Sequence, residues 1–200
     1  MRVLLIALAV WAVLIFAAGH FADAPVARFV HTLPWSSDIR LPALGLPVLV
    51  TLSGIAIVVG AVQVETGHAL RNLVEILVIA SFSLTSSVCI DELILKRLFG
   101  RETPDEFLNS GIDAFRWLQG TSQNSFPSGH AAQIVSVGIV FLMTYPKQRP
   151  AWLALMGIGL TCLVLGNWHF VSDVIAGAGV GAIGGTATTL LWRRKSERTA

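Results

Sequence analysis

The tetrapeptide Pro127-Ser128-Gly129-His130 stands where a polar loop turns into an apolar stretch. Proline suits the first turn of a helix, because its missing N–H would have no partner there. The remaining free N–H groups and the positive end of the helix dipole attract an anion. Gly129 allows close approach to the backbone, Ser128 offers a hydroxyl, and His130 exchanges a proton near neutral pH. This pattern predicts an anion site, and an ordinary helix start with an interfacial histidine is the alternative.

His169 and Asp173 form a second candidate pair, four residues apart. That spacing places two side chains on one side of a helical turn. A carboxylate there can hold the imidazole in one tautomer and stabilise its protonated form, so that the histidine can act as a nucleophile or a base. The alternative is structural, because Ser172 and Asp173 would also cap a following helix.

A third candidate is Lys96, at the end of an apolar stretch, where its ammonium can reach a phosphate at the level of lipid headgroups. Asp91 and Glu92 precede it, which is unusual at the edge of a membrane helix. Alternatively, Glu92 pairs with Lys96 across one helical turn and Arg97 extends to the headgroups. We expect no metal site at Asp91 and Glu92, since no further carboxylate or histidine follows at ligand spacing.

The elements that must position these residues belong to a membrane protein. Hydrophobic residues make up 54% of the chain, charged residues only 13%, and the mean hydropathy is +0.71. A net charge of +2 without a basic stripe interleaved with aromatic residues argues against nucleic-acid binding. Cys89 and Cys162 lie in apolar runs and predict no disulfide.

A bilayer core requires roughly 20 apolar residues per helix. Six stretches qualify or come close, at about residues 3–21, 44–64, 73–95, 129–145, 151–168 and 174–192. The prediction is an all-α bundle of six transmembrane helices in one domain, residues 1–200, with a long extracytoplasmic segment between the third and fourth helices. The first stretch could instead be a signal peptide, because Ala22-Asp23-Ala24 resembles a cleavage site.

The distribution of positive charge predicts the orientation. With both termini in the cytoplasm, eight basic residues lie in short loops on that side: Arg2, Arg71, Lys147, Arg149, Arg193, Arg194, Lys195 and Arg198. The opposite side holds Arg28, Arg40, Lys96, Arg97, Arg101 and Arg116. The three candidate site segments, 96–104, 127–130 and 169–173, then all face outward.

Gly177, Gly181 and Gly185 recur at four-residue spacing in the last stretch. Small residues at that period let two helix backbones approach closely. We therefore expect this ridge to serve packing and not chemistry.

Together these segments resemble the type 2 phosphatidic acid phosphatase (PAP2) superfamily. That family's pattern is Lys-x6-Arg-Pro, then Pro-Ser-Gly-His, then Ser-Arg-x5-His-x3-Asp. This chain keeps Lys96, Pro104, the whole of Pro127–His130, His169 and Asp173. It departs at Thr103, which replaces an arginine, and at Cys162-Leu163, which replaces Ser-Arg.

The resemblance implies a metal-independent lipid-phosphate phosphatase without a cofactor, in the plasma (inner) membrane of a bacterium. It implies that His169 attacks phosphorus to give a phosphohistidine, that Asp173 orients His169 and that His130 protonates the leaving oxygen. The phosphate ligands would be Lys96, Ser128, Gly129 and, as a substitute for a missing arginine, Arg101; Arg97 and Arg116 lie on the same side. Substrates of this class include phosphatidic acid, phosphatidylglycerol phosphate, isoprenyl pyrophosphate and lipid A phosphate. A lipid phosphotransferase and a non-catalytic headgroup-binding relative are the alternatives.

Overall fold

A computed structural model describes residues 2–35, 45–67 and 72–199, and these residues are mostly helical. The nine α-helices of the described ranges are α1 Arg2–Phe21, α2 Asp23–His31, α3 Gly45–Glu65, α4 Asn72–Ile90, α5 Lys96–Phe99, α6 Pro104–Ser110, α7 Gly129–Thr144, α8 Arg149–Leu165 and α9 Val171–Thr199. A π-helical turn, Asp91–Leu95, joins α4 to α5, and a 3-10 turn, Pro146–Gln148, precedes α8. No strand occurs in these ranges, so the predicted all-α class is confirmed.

Five helical stretches are long and apolar enough to cross a membrane: Leu4–Phe21, Val48–Glu65, Asn72–Phe99, Pro146–Leu165 and Val171–Lys195. The remaining predicted span corresponds to Gly129–Thr144, which has 16 residues and falls short of that length. An integral membrane bundle is therefore confirmed, but the count of six spans is not. Leu44, Arg40 and Arg71, used in the sequence argument, lie outside the described residues.

The predicted glycine ridge on α9 packs against α7. A Cβ atom on Gly177 would lie 2.1 Å from the carbonyl oxygen of Ser128, and one on Gly181 would lie 2.2 Å from that of Ala132. Gly185 repeats this close approach one turn further along α9. Because these distances exclude any side chain, the ridge brings the N-terminal ends of α7 and α9 together, as the sequence predicts.

The N-terminal helices also pack against α9. The indole Nε1 of Trp11 donates a hydrogen bond of 2.9 Å to the carbonyl oxygen of Ile175. At the start of α2, the buried carboxylate of Asp23 accepts a 2.9 Å bond from the backbone N–H of Ser172. These two contacts attach the middle of α1 and the start of α2 to the first turns of α9.

The segment between α5 and α7 folds back over α5. Gly100 ends α5 in the left-handed conformation, with φ of +49°. Gly120 passes so close that a Cβ atom on it would lie 1.9 Å from the carbonyl oxygen of Lys96. Four aromatic side chains of this region contact one another at centroid distances of 5.0 to 6.5 Å, in T-shaped, tilted and stacked arrangements, namely Phe99, Phe115, Trp117 and Phe126. This packing fixes the path of the chain as it enters Pro127.

Candidate active site

A polar cavity of about 520 Å³ lies where α5, the start of α7 and the α8–α9 loop meet. Three of the residues selected from the sequence line it: Lys96, His130 and His169. They come from segments separated by 34 and 39 positions, so the fold brings the three sequence pieces to one place. Amide and hydroxyl side chains make up much of the remaining lining.

The two histidines face each other across this cavity. Their ring centroids are 5.7 Å apart, with an angle of 56° between the ring planes. The rings of His130 and Trp168 also pack in a T-shaped arrangement, with their centroids 5.1 Å apart. The two rings of His130 and His169 therefore lie close enough to contact one small ligand in the cavity.

The imidazole of His169 is held through Nδ1. This atom lies 3.1 Å from the carbonyl oxygen of Ser125 and 3.3 Å from the hydroxyl oxygen of the same residue. A carbonyl oxygen can only accept a hydrogen bond, so Nδ1 carries the proton and Nε2 of the neutral ring keeps a free lone pair. His169 is therefore held in the tautomer that a nucleophile requires.

Asp173 lies behind His169 and is completely buried. Its Oδ2 accepts hydrogen bonds from the hydroxyl of Ser125 and from the backbone N–H of Phe170, the latter at 2.9 Å. The distance from Oδ2 to Nδ1 of His169 is 3.9 Å, too long for a direct hydrogen bond. Asp173 thus reaches His169 through Ser125, a residue that sequence reasoning missed. The only feature of the sequence that could have indicated Ser125 is its position in the polar segment before Pro127.

Lys96 is nearly buried, and its ammonium has two fixed partners. It donates to Oε1 of Glu92 at 2.9 Å and to the carbonyl oxygen of Ser122 at 3.0 Å. The pairing of Glu92 with Lys96 across one turn, the structural alternative for this segment, is therefore present. One of the three N–H donors of the ammonium remains for a ligand in the cavity. No three metal-binding side chains come together within the described ranges.

Ser128 and Gly129 are fully buried, and neither is among the residues that line the cavity. The hydroxyl oxygen of Ser128 caps α7 by accepting from the backbone N–H of Ala131 at 3.2 Å, and its own N–H donates to the carbonyl oxygen of Asp173 at 3.0 Å. Gly129 packs against Asp91, whose Oδ2 would be 2.6 Å from a Cβ atom at that position. The structure places both residues in the wall behind the cavity.

Arg101 also lies outside the cavity lining. Its side chain is buried, with a relative exposure of 1%, and its guanidinium binds the carboxylates of Asp113 and Asp173 at 2.8 and 2.7 Å. The expectation that Arg101 serves as a phosphate ligand receives no support from this placement. Arg97 and Arg116 are exposed and likewise do not line the cavity.

The two positions that depart from the family pattern have structural roles. Thr103 caps α6 in a reciprocal arrangement with Glu106, whose carboxylate accepts from the backbone N–H of Thr103 at 2.7 Å. Leu163 is buried in an apolar cluster with Ala131 and Val174. Among the described residues that line the cavity, Lys96 is consequently the only lysine or arginine.

Comparisons with known proteins agree with the pattern in the sequence. A family model described as the PAP2 superfamily matches residues 76–197, more than half of the chain. A lipid A 1-phosphatase of Rhizobium johnstonii is 36% identical over 103 residues, which are 50% of this chain and 42% of that protein. A lipid A 1-phosphatase of Porphyromonas gingivalis is 29% identical over 101 residues, 47% of this chain and 22% of that protein.

The matched region covers less than half the length of these curated relatives. No solved structure matches the chain at a comparable level. The family match extends from α4 to α9 and includes every residue that the resemblance selected. The chain belongs to the PAP2 superfamily.

Proposed function

We propose that this protein is a membrane phosphatase that removes phosphate from a lipid through a phosphohistidine on His169. The observation that carries the proposal is the state of His169. Its Nδ1 proton is held by the carbonyl of Ser125, and its ring faces His130 across a polar cavity. A nucleophile with a fixed tautomer beside a second proton-transfer group is the arrangement that covalent phosphoryl transfer needs.

In the first step, the lone pair on Nε2 of His169 attacks phosphorus and forms a P–N bond. The P–O bond to the lipid breaks, and His130, which the negative charge of the bound phosphate keeps protonated, gives its proton to the leaving oxygen. Lys96 donates to a phosphoryl oxygen with its remaining N–H, which stabilises the charge that develops in the transition state. The buried carboxylate of Asp173 stabilises the positive charge that the ring of His169 acquires, acting through Ser125.

In the second step, a water molecule attacks the phosphorus of the phosphohistidine. His130, now neutral, takes a proton from that water. The P–N bond breaks, its electron pair returns to Nε2 of His169, and inorganic phosphate leaves. His169 is then neutral and His130 is protonated, so both histidines are ready for another cycle.

We propose a phosphorylated glycolipid of the lipid A type as the first substrate to test. The curated relatives are named lipid A 1-phosphatases. The lining of the cavity supports the same class, because Gln123, Asn124, Asn167 and Trp168 provide amide groups and an aromatic surface. Amides bind sugar hydroxyls as both donors and acceptors, whereas a glycerol phosphate offers fewer hydroxyls to recognise.

We further propose that the cavity faces the outside of the inner membrane and that both termini are cytoplasmic, as the distribution of basic residues predicts. In a Cys89→Ser, Cys162→Ser background, Ser110→Cys and Lys147→Cys should react with a membrane-impermeant maleimide from opposite faces. Both positions are exposed. Labelling of Ser110→Cys from the cytoplasmic face would overturn the proposed orientation.

The activity is tested with the purified protein in detergent. Phosphate release is measured from lipid A, phosphatidic acid, phosphatidylglycerol phosphate and isoprenyl pyrophosphate, with His169→Ala, His130→Ala and the exposed control His31→Ala. We expect turnover by the wild type and by His31→Ala, and loss of turnover in the two cavity variants. An acid-labile phosphoenzyme should form in the wild type and should be absent in His169→Ala.

A headgroup-binding protein without turnover is a second candidate, and one observation favours it. Lys96 is the only lysine or arginine of the described cavity lining, and Glu92 already neutralises part of its charge. Binding of lipid A with no phosphate released from any of the four lipids would select this candidate. Phosphate that appears on a second lipid instead of in solution would select a phosphotransferase.

A further inference from the structure

The guanidinium of Arg101 makes four hydrogen bonds and one further ion pair. Nε and Nη2 bind the two carboxylate oxygens of Asp113, each at 2.8 Å. Nη1 donates to Oδ1 of Asp173 at 2.7 Å and to the hydroxyl oxygen of Ser172 at 2.8 Å, and Nη2 lies 2.9 Å from Oδ2 of Asp23. Four of the five N–H donors are therefore used in hydrogen bonds, and these bonds together with the ion pair hold Arg101 outside the cavity lining.

Two aromatic rings hold the same guanidinium. The Cζ atom of Arg101 lies 4.0 Å from the ring centroid of Phe170 and 5.2 Å from that of Phe115. Phe170 stands between the two members of the His169–Asp173 pair in the sequence. The position of Arg101 is thus tied directly to the turn that carries the proposed nucleophile.

Three carboxylates converge on this one cation. Burial alone would lower the pKa of Arg101, but Asp173, Asp113 and Asp23 raise its pKa above the ordinary value, so the guanidinium stays charged. Without it, Asp23 and Asp173, both fully buried, would lose their common cation. The two carboxylates would then repel each other, and the side chain of Asp173 would no longer be held in its position.

Asp173 is held from two sides. Its Oδ1 binds Arg101, and its Oδ2 binds the hydroxyl of Ser125, which in turn contacts Nδ1 of His169. The chain of contacts therefore runs from Arg101 through Asp173 and Ser125 to His169. Asp23 links α2 to the same guanidinium, and Asp113 links the segment between α6 and α7.

We propose that Arg101 is a positioning residue, which fixes the orientation and charge of Asp173 and through it the reactivity of His169. This inference rests on the proposed phosphatase activity. It assigns to Arg101 a role opposite to that of a phosphate ligand, because Arg101 acts behind the nucleophile and does not touch the substrate. The two roles predict different kinetics.

The test compares Arg101→Gln and Arg101→Lys with the control Arg116→Gln, which changes an exposed arginine of the same segment. Release of phosphate from lipid A is measured over a range of substrate concentrations and pH values, and folding is checked by thermal unfolding in detergent. We expect kcat of Arg101→Gln to fall roughly 100-fold, the upper end of the loss when the partner that orients a metal-binding histidine is removed. KM should change less than twofold, because no contact with the phosphate is lost. Arg101→Lys, which keeps the charge but not the fork, should recover part of kcat.

The pH profile separates positioning from a merely structural role. The charged and titratable groups around His169 are Asp173 from α9, His130 from α7, and Lys96, Glu92 and Asp105 around the cavity. Loss of the guanidinium leaves the negative charge of Asp173 less balanced, which favours protonated His169. Since a nucleophile must be unprotonated, the acid limb of kcat/KM should move to higher pH in Arg101→Gln and stay in place in Arg116→Gln.

Each outcome decides a separate point. A raised KM with unchanged kcat would make Arg101 a phosphate ligand and overturn the inference, as would a folded Arg101→Gln with wild-type kcat and pH profile. If Arg101→Gln does not fold, Arg101→Lys and Asp113→Asn apply the same test, because both disturb the fork while the other carboxylates keep a cation. If the wild type is active and the Arg101 variants keep its kcat and pH profile, this inference alone is overturned. If the wild type is inactive on all lipid phosphates, the inference is overturned together with the proposed function.

Discussion

Nδ1 of His169 lies 3.1 Å from the carbonyl oxygen of Ser125 but 3.9 Å from the carboxylate of Asp173. The backbone carbonyl therefore selects the tautomer of the imidazole, and the carboxylate acts one contact further away. In a serine-protease triad, by contrast, the aspartate binds the histidine directly. Here the carbonyl of Ser125 fixes the tautomer, and the hydroxyl of Ser125 connects the imidazole to the carboxylate. In the triad, one aspartate has both roles.

Ser125→Ala should therefore reduce turnover without abolishing it. The variant removes the hydroxyl that connects Asp173 to His169 but leaves the carbonyl that holds Nδ1. We expect kcat to fall about 10- to 100-fold, with little change in KM, in a steady-state assay of phosphate release. The exposed Ser110 provides the control Ser110→Ala, which should keep wild-type kcat.

Asp173→Asn provides the complementary test. If the carbonyl of Ser125 selects the tautomer, this variant should lose less than the roughly 10⁴-fold seen where the aspartate itself selects it. A loss of that full size, with Ser125→Ala close to wild type, would mean that Asp173 contacts His169 directly during the reaction.

We expect opposite effects on stability from a Gly→Ala substitution at Gly181, on the glycine ridge of α9, and from one at Gly157, in α8. A Cβ atom at Gly181 would lie 2.2 Å from the carbonyl oxygen of Ala132, whereas one at Gly157 in α8 meets nothing within 4 Å. Gly181→Ala should destabilise the protein by about 1–3 kcal/mol through overpacking. Gly157→Ala should be neutral or stabilising by up to about 1 kcal/mol, because alanine favours the helix. Thermal unfolding in detergent measures both, and equal shifts would contradict the close packing of α7 on α9.

The parts of the fold that follow from local pattern were predictable from the sequence. Apolar runs predict the helices, and the four-residue period of Gly177, Gly181 and Gly185 predicts which face packs closely. The period alone does not identify the helix that packs against this face; in the structure, Ser128 at the N-cap of α7 lies opposite Gly177. The start of α7 is thus placed by a packing signal and not by the chemistry of its own residues.

The surroundings of the candidate nucleophile were not predictable, for a physical reason. Arg101 and Asp173 are 72 positions apart, and nothing in the local sequence of either residue indicates the other. The direction of Arg101 depends on the left-handed Gly100 before it and the helix cap at Thr103 after it. An arginine two residues from the expected position consequently points behind the cavity instead of into it.

Thr103→Arg restores the residue type that the family pattern has at this position. Thr103 lines the cavity, so an arginine there adds a cation where Lys96 is the only lysine or arginine of the described lining. A charged hydrogen bond contributes about 1.5–3 kcal/mol, and we expect KM for lipid A to fall roughly 10-fold. The cap of α6 is lost, at a cost of about 1 kcal/mol in the free energy of unfolding.

Thr103→Gln is the matched control, because it removes the same cap without adding charge. Both variants should unfold at similarly lowered temperatures, and only Thr103→Arg should bind more tightly. If KM improves equally in both, the gain comes from the loosened segment and not from the new cation.

Asp91 is the least compensated charge beside the candidate site. It is completely buried, and neither carboxylate oxygen has a hydrogen-bond partner among the described residues. Its Oδ2 lies 3.9 Å from Nζ of Lys96 and so offsets part of the positive charge available to a phosphate.

Asp91→Asn keeps the size of the side chain and removes this charge. We expect KM for lipid A to fall several-fold and thermal stability to rise, because a buried carboxylate without a hydrogen-bond partner is costly. The exposed Glu65→Gln, which removes the same charge far from Lys96, should change neither KM nor stability. A loss of turnover in Asp91→Asn with normal folding would instead mean that the carboxylate is needed to hold Lys96 in place during the reaction.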